Sequence, residues 1–374
     1  MPSHSIPSSS TFHGRRLLIP NLQPAFSAWK QGINPLHEQV KQAVDVRLAE
    51  LLLSEDSGAE VDKEREERRI LETATLEKVK AADIGLFAAG LFPDAPYDIL
   101  EIAAFYNVWV FLWDDAIDGG DGDLSDAEAY CRQSVAFVER SLGSSTGVDS
   151  TPSPAAAPTK VCASFGDVGK RLRELCAGRE ELTGELAGRL KEYMEGCVTE
   201  YRARLLGRVP SVEEFYGWRL KTSSVEVFLV LTRILNHITL PDEILALKEV
   251  SEMGLSINKL LIQINELFSF KKELKDGAFS NLIPITMCAL DTDLQGAVDH
   301  IIQDIHQCIQ DFDRSAAAVR ARVAKKYPDS LDQFDKMVGG YQAVATTVLN
   351  FSIRSPRYGL LKYRQLDGSF VVEL

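Results

Sequence analysis

The chain has 374 residues and is 45% hydrophobic and 25% charged, enough apolar material to bury a substantial core in one large domain or two ordinary ones. Its 41 basic and 54 acidic residues leave a formal net charge of -13, which argues against nucleic acid or an anionic membrane surface as a partner. An acidic chain that handles an anionic substrate needs a metal ion or local basic side chains to do so.

Residues 1–25 carry Ser, Pro and His without periodicity and read as a mobile N-terminal tail that closes on a docked turn at Ile19, Pro20 and Asn21. This stretch has no apolar core of a secretory signal, and no run in the chain approaches the roughly 18 apolar residues of a membrane span. The six cysteines form no CxxC pair and the six histidines no HExxH, so the thiols read as reduced packing residues and the expected location is cytoplasmic, with no stable membrane insertion.

From residue 26 to 374 the pattern is that of a single domain. Apolar positions recur at three- and four-residue intervals over 38–54 and 60–80, and the charge run from Asp62 to Arg69 reads as a solvated helix face. Residues 97–118 form a strongly apolar helix ended by Gly119 and Gly120, and a further helix starts near Ser125, with Asp126 and Glu128 suiting its first turn. The low-complexity stretch 143–160 reads as a flexible interhelical loop inside the domain, because helical pattern resumes unchanged beyond it. Helical patterns follow over 161–177, 180–206, 211–236, 241–273, 293–325 and 330–352, punctuated by Pro241 and Pro284. Strand-like alternation is confined to the last dozen residues, and no internal repeat is evident. The expected fold class is therefore all-α, a helical bundle with a ligand site between facing helices.

Three aspartates close the apolar helix: Asp114, Asp115 and Asp118. Asp114 and Asp118 share one face, with Asp115 about 100° round from Asp114. Like charges ~4 Å apart repel by about 4 kcal/mol at an effective dielectric near 20, so such a cluster at an apolar mouth calls for a cation. Magnesium, which takes a few carboxylates together with water and phosphate oxygens, suits it best. The plainer alternative is a solvated acidic helix end. An EF-hand opening at Asp121, Asp123 and Ser125 is rejected, because its sixth position is Asp126 instead of glycine and its twelfth is Arg132.

A second set of oxygen donors lies on the long helix after Pro241. Asn265, Ser269 and Glu273 recur every fourth residue and make one stripe, while Leu267, Phe268 and Phe270 point elsewhere. An amide, a hydroxyl and a carboxylate so arranged can chelate one hard ion. By itself the NxxxSxxxE pattern is weak.

Together, in this order and in an all-α chain, the two clusters resemble the paired metal motifs of class I terpene synthases, most nearly the fungal and bacterial sesquiterpene cyclases. Arg219, within the run from Phe215 to Thr222, lies 46 residues before Asn265, where that family carries its diphosphate-sensing arginine. Ser355, Pro356, Arg357 and Tyr358 are similar to the family's arginine-tyrosine segment, which reaches over the diphosphate on closure. The resemblance covers roughly residues 20–360.

The resemblance implies a class I terpene cyclase, a lyase that ionises a prenyl diphosphate, with farnesyl diphosphate favoured, and folds the carbocation into a sesquiterpene hydrocarbon or alcohol. It implies three magnesium ions, manganese being the alternative metal. Asp114 would ligate two of the ions and Asn265, Ser269 and Glu273 the third, while Asp115 and Asp118 act through water and through salt links. Arg219, Lys272, Arg357 and Tyr358 would grip the diphosphate. Thr222 and Ser223 sit where the family breaks a helix to aim a carbonyl at the cation. Val110 and Phe111, on the face of Asp114, are expected to line a dry cavity, since aromatic faces stabilise cations without trapping them. Phe105, Tyr106 and Trp109 read more as core. No final base is identifiable, and diphosphate itself is the candidate.

Two departures stand out. The family often carries a tryptophan seven residues before the arginine-tyrosine pair, where this chain has Asn350 followed by Phe351, and the 143–160 loop is longer than the usual connection. The alternatives are a diterpene cyclase, a chain-elongating prenyl transferase, which would need a second aspartate-rich cluster, and a non-catalytic isoprenoid-binding scaffold. No DxDD motif of a class II cyclase is present. Nothing in the sequence specifies a homodimer interface.

Overall fold

The computed structural model describes residues 12–54, 63–118, 123–144, 156–275 and 280–374, with the side chains of 63–65 and 118 outside that description. Most of the helices appear where the apolar spacing places them. In α1 (His37–Leu52) the buried residues are Val40, Val44 and Leu48, a single stripe four residues apart. There follow α2 (Lys63–Ala81), α3 (Ile84–Leu91), α4 (Tyr97–Asp118) and α5 (Leu124–Ser141), the last opened by the Asp123 carboxylate, which accepts from the Ser125 N–H. Beyond the loop come α6 (Lys160–Ala163), α7 (Phe165–Leu175), α8 (Glu180–Leu205), α9 (Val212–Thr222) and α10 (Val225–Leu235). The series ends with α11 (Asp242–Leu245), α12 (Lys248–Lys275), α13 (Leu282–Leu290), α14 (Leu294–Lys326) and α15 (Leu331–Arg354).

The expected all-α bundle is what forms. α12 lies at its centre, packed against α14, α15, α13 and α10, and is buried almost continuously from Met253 to Phe270. α4 packs on α1, α3, α7 and α8 and presents its last turns to the other half of the bundle. α15 closes the gap by packing on α3, α10 and α12. Its approach to α10 depends on Gly340, where a Cβ would lie 2.3 Å from Thr232 Cγ2.

The mobile tail expected through residue 25 is corrected by the structure for residues 12–25. Strand β1 (Arg16–Ile19) pairs antiparallel with β2 (Phe370–Glu373), Arg16 opposite Glu373 and Ile19 opposite Phe370. The pairing is held by packing on α12: Phe12 meets Phe270 edge-on at 5.3 Å and Phe370 meets Phe268 at 5.5 Å. The last dozen residues thus do contain a strand, and its partner is the segment read as a tail.

Other boundaries also move. α3 carries no amphipathic signal because all but one of its eight residues are buried. Pro284 lies in the first turn of α13, where its missing N–H costs no helical bond, so it admits a helix there. The pattern read over 241–273 divides into α11 and α12, and that over 161–177 into α6 and α7. Gly119, Gly120 and most of the 143–160 loop lie outside the described residues. None of the six cysteines is in a disulfide. No helix among the described residues is long and apolar enough to cross a membrane.

Candidate active site

The acidic end of α4 meets α8. Asp114 is half-buried, and its Oδ1 accepts from the Tyr193 hydroxyl at 2.9 Å and from Cys197 Sγ at 3.7 Å. Tyr193 is fixed in turn by its ring, 5.7 Å from Trp113. Burial, followed by the Asp114 charge, pushes the Tyr193 phenol well above its ordinary range, so it stays a donor. Asp115 points outward and pairs with Arg357 Nη2 at 3.3 Å. The Asp118 side chain lies outside the described residues.

Arg219 is presented by α9, whose start is secured by a capping box between Ser211 and Glu214. Its Nε donates to Glu266 Oε1 at 2.9 Å, and its Nη2 donates to Asn265 Oδ1 at 2.7 Å. Glu266 is 3% exposed, and its Oε2 accepts from the Leu282 N–H at 3.0 Å. Burial, opposed by the Arg219 charge and reinforced by Glu273, raises the Glu266 carboxyl to about 7. Arg219 stays cationic, because the attraction of Glu266 and its neighbours outweighs desolvation.

The pattern read as one helix over 211–236 is broken where Thr222 and Ser223 were expected to break it. α9 ends at Thr222, and Ser224 takes the left-handed conformation (φ 58°) before α10 starts. Ser223 Oγ donates to Asn258 Oδ1 at 2.7 Å, Asn258 Nδ2 donates to the Leu220 carbonyl at 2.8 Å, and the Tyr106 hydroxyl lies 3.4 Å from Ser224 Oγ. The break is thus held by side chains from α12 and α4.

On α12, Asn265 offers Oδ1 to Arg219 and donates from Nδ2 to the Tyr358 hydroxyl at 3.0 Å. Ser269 is buried, and its Oγ has no partner among the described residues. Glu273 accepts at Oε2 from Asn281 Nδ2 at 2.9 Å. Lys272 is half-buried and has no hydrogen bond or ion pair among the described residues; the structure instead engages its neighbour Lys271 with the Tyr363 hydroxyl at 2.8 Å. An orphaned hydroxyl between an amide and a carboxylate is a donor set that suits a hard cation, since such a group otherwise carries an unrecovered desolvation cost. Among the described residues no three His, Cys, Asp or Glu are grouped as a metal cluster. The second motif supplies a single carboxylate, so such a grouping is not expected of it.

One bonded path therefore joins all four motifs. It runs from Asp115 to Arg357, through the adjacent Tyr358 to Asn265, and on to Arg219. Below it the aromatic residues gather. The Arg357 guanidinium lies 5.9 Å over the Phe111 ring, which contacts Phe87 at 5.8 Å and Phe351 at 6.3 Å. Phe87 meets Phe351 at 4.9 Å and Phe228 at 6.1 Å. Phe351 thus supplies an aromatic ring from the segment where the expected tryptophan is missing. Val110 is buried beside Phe111, whereas Trp109 packs outward on Phe165 at 4.6 Å and Phe105 lies under Arg47.

Tyr193, Glu266, Asn258, Ser224 and Asn281 escaped the sequence reading. Glu266 stands beside the Asn265 stripe on a mixed face of α12, and its meaning depends on Arg219 arriving from another helix. The others are single polar residues in ordinary helical contexts.

Comparison with known proteins agrees with this fold. The family model described as terpene synthase family 2, C-terminal metal binding, matches residues 106–311. Sesquiterpene cyclase hepA of Aspergillus oryzae is 25% identical over 352 residues, 91% of this chain and 89% of that protein. 10-epi-cubebol synthase of Sorangium cellulosum is 28% identical over 223 residues, 60% of this chain and 67% of that protein. The crystal structure of linalool/nerolidol synthase from Streptomyces clavuligerus with 2-fluorogeranyl diphosphate shares the fold at a TM-score of 0.68 and 16% identity, covering 87% of this chain and 97% of that one. The family match spans more than half of the chain and includes Asp114, Arg219, Asn265 and Glu273, so this protein belongs to terpene synthase family 2 and is a metal-binding terpene synthase.

Proposed function

We propose that this chain is a sesquiterpene cyclase that ionises farnesyl diphosphate with magnesium and closes the resulting cation to a cyclic hydrocarbon or alcohol. The observation that carries the reading is the bonded path from Asp115 through Arg357, Tyr358 and Asn265 to Arg219, which draws four motifs far apart in sequence to one mouth above an aromatic cluster. The names of the relatives, sesquiterpene cyclase hepA among them, support the C15 substrate class.

Asp114 is the residue to hold magnesium on one side of the mouth, with Asp118 one turn on, and Asn265, Ser269 and Glu273 are the residues to hold it on the other; three ions is the expected number. When bound, magnesium supplies Lewis-acid stabilisation of the charge growing on the departing diphosphate. The chain's own part is to bind and orient. Arg219 and Arg357 present guanidiniums to the diphosphate oxygens, and Tyr358 presents a hydroxyl. Lys272, on the stripe of Asn265, adds a cation that the protein leaves unpaired among the described residues. The backbone at Thr222 and Ser223, freed by the break, directs a carbonyl dipole toward the positive chain, while Phe111, Phe87 and Phe351 exclude water and offer π faces.

The test is incubation with farnesyl diphosphate, with and without magnesium, followed by gas chromatography and mass spectrometry. A cyclic C15 product that appears only with magnesium supports the reading. Product from geranylgeranyl diphosphate alone transfers it to a diterpene cyclase, and elongated prenyl diphosphates transfer it to a prenyl transferase. Absence of turnover with every prenyl diphosphate returns the chain to a binding scaffold.

A further inference from the structure

Asn281 is 2% exposed, and its amide oxygen and both amide hydrogens are engaged in hydrogen bonds. Nδ2 donates both hydrogens, one to the Glu266 backbone carbonyl and one to Glu273 Oε2, each at 2.9 Å. Oδ1 accepts from the Ile283 N–H at 2.8 Å and so caps α13. Reversing the amide would set its oxygen against a carbonyl and a carboxylate, so the orientation is determined by its surroundings. The next residue extends the same bracket, since the Leu282 N–H holds Glu266 Oε2. Two turns of α12, from Glu266 to Glu273, are thereby tied to the first turn of α13.

We propose that Asn281 is a positioning residue for the metal-binding carboxylate of Glu273. The inference rests on the reading of Glu273 as a ligand. The physical ground is that one Glu273 oxygen is engaged by a buried amide whose own orientation is determined, which restrains the rotamer of a carboxylate that shares a helix stripe with Asn265 and Ser269. A glutamate near the end of a helix otherwise samples several rotamers and orders them only on binding, at a cost in metal affinity. Groups that orient a ligand in this way typically change metal affinity about 10–100-fold when removed.

The experiment titrates manganese(II) into the protein with saturating inorganic diphosphate, followed by electron paramagnetic resonance, alongside thermal melting. Asn281→Ser retains an oxygen that accepts from the Ile283 N–H but is too short to reach Glu273. The expected result is a melting temperature close to the parent's with one manganese site loosened about tenfold or more. Asn281→Thr carries the same comparison should the serine variant fail to fold. Manganese binding by either folded variant as tight as the parent's overturns the proposal. Glu273→Gln separates the two levels: if it binds manganese like the parent, Glu273 is not a ligand and the proposal falls with that reading, whereas a lost site with Asn281→Ser unaffected overturns the positioning role alone.

Discussion

Arg219 donates from Nη2 to Asn265 Oδ1 at 2.7 Å, so the arginine proposed to sense diphosphate rests on the very oxygen that Asn265 would offer to a cation. The helix packing makes these two groups neighbours: α9 delivers the guanidinium against the Asn265 face of α12. Glu266, one residue on, holds the same guanidinium at Nε and sets its plane.

Removing the guanidinium exposes what it compensates. Arg219→Ala is expected to cost about 3–5 kcal/mol, because it leaves a buried carboxylate without its partner. Adding Glu266→Gln is expected to recover much of that stability while turnover stays lost. Denaturant unfolding of the single and double variants measures the difference, and equal stability of Arg219→Ala and the parent would show that Glu266 is carried protonated.

Asp114→Ala and Asn265→Ala are each expected to lower turnover by at least about a hundredfold with helical content intact, since charge stabilisation in the transition state is worth several kcal/mol. Circular dichroism and diphosphate release check the two halves of this statement. Unfolding of either variant would assign the residue a structural role instead.

A chelator in excess is expected to stop diphosphate release, and added magnesium to restore it. Release that persists in the chelator would remove metal from the mechanism.

Asn107 is fully buried, and neither polar atom of its amide has a partner among the described residues. It lies two turns before Asp114 on the same face of α4. Asn107→Leu, close in volume, is expected to stabilise the fold by about 1–2 kcal/mol, since a buried polar group without a partner costs that much. A raised melting temperature checks it. A lowered one would reveal an internal water held by the amide.

Acid should loosen the start of α9. Arg208, then the Ser211 N–H, holds the Glu214 carboxyl at about 2, below its ordinary 4.5. Because the folded value lies below the unfolded one, the contribution is complete above about pH 4.5 and is lost as pH falls toward 2. Glu214→Gln is expected to flatten the acid limb of the stability profile across that window, and an unchanged limb would show that the cap carries no such linkage.

The two oxygen-donor stripes and most of the helices were legible in the sequence, because helical period and fourth-residue spacing are properties of a single segment, whereas the arginine positions were legible only through resemblance. Asp114, Asn265, Ser269 and Glu273 declare their faces without reference to any other helix. The break after Ser223 was legible only through resemblance, since nothing in the local run of residues forbids a helix there. What tertiary structure alone decided is which polar groups meet: Tyr193 with Asp114, Asn258 with Ser223, Asn281 with Glu273, and the docking of residues 12–25 by pairing of Arg16–Ile19 with Phe370–Glu373. These partners lie on other elements, and a single asparagine or tyrosine carries no periodic signal of its own. Hydrogen bonds of that kind depend on angstrom-scale placement by the core, which many small packing contacts set together.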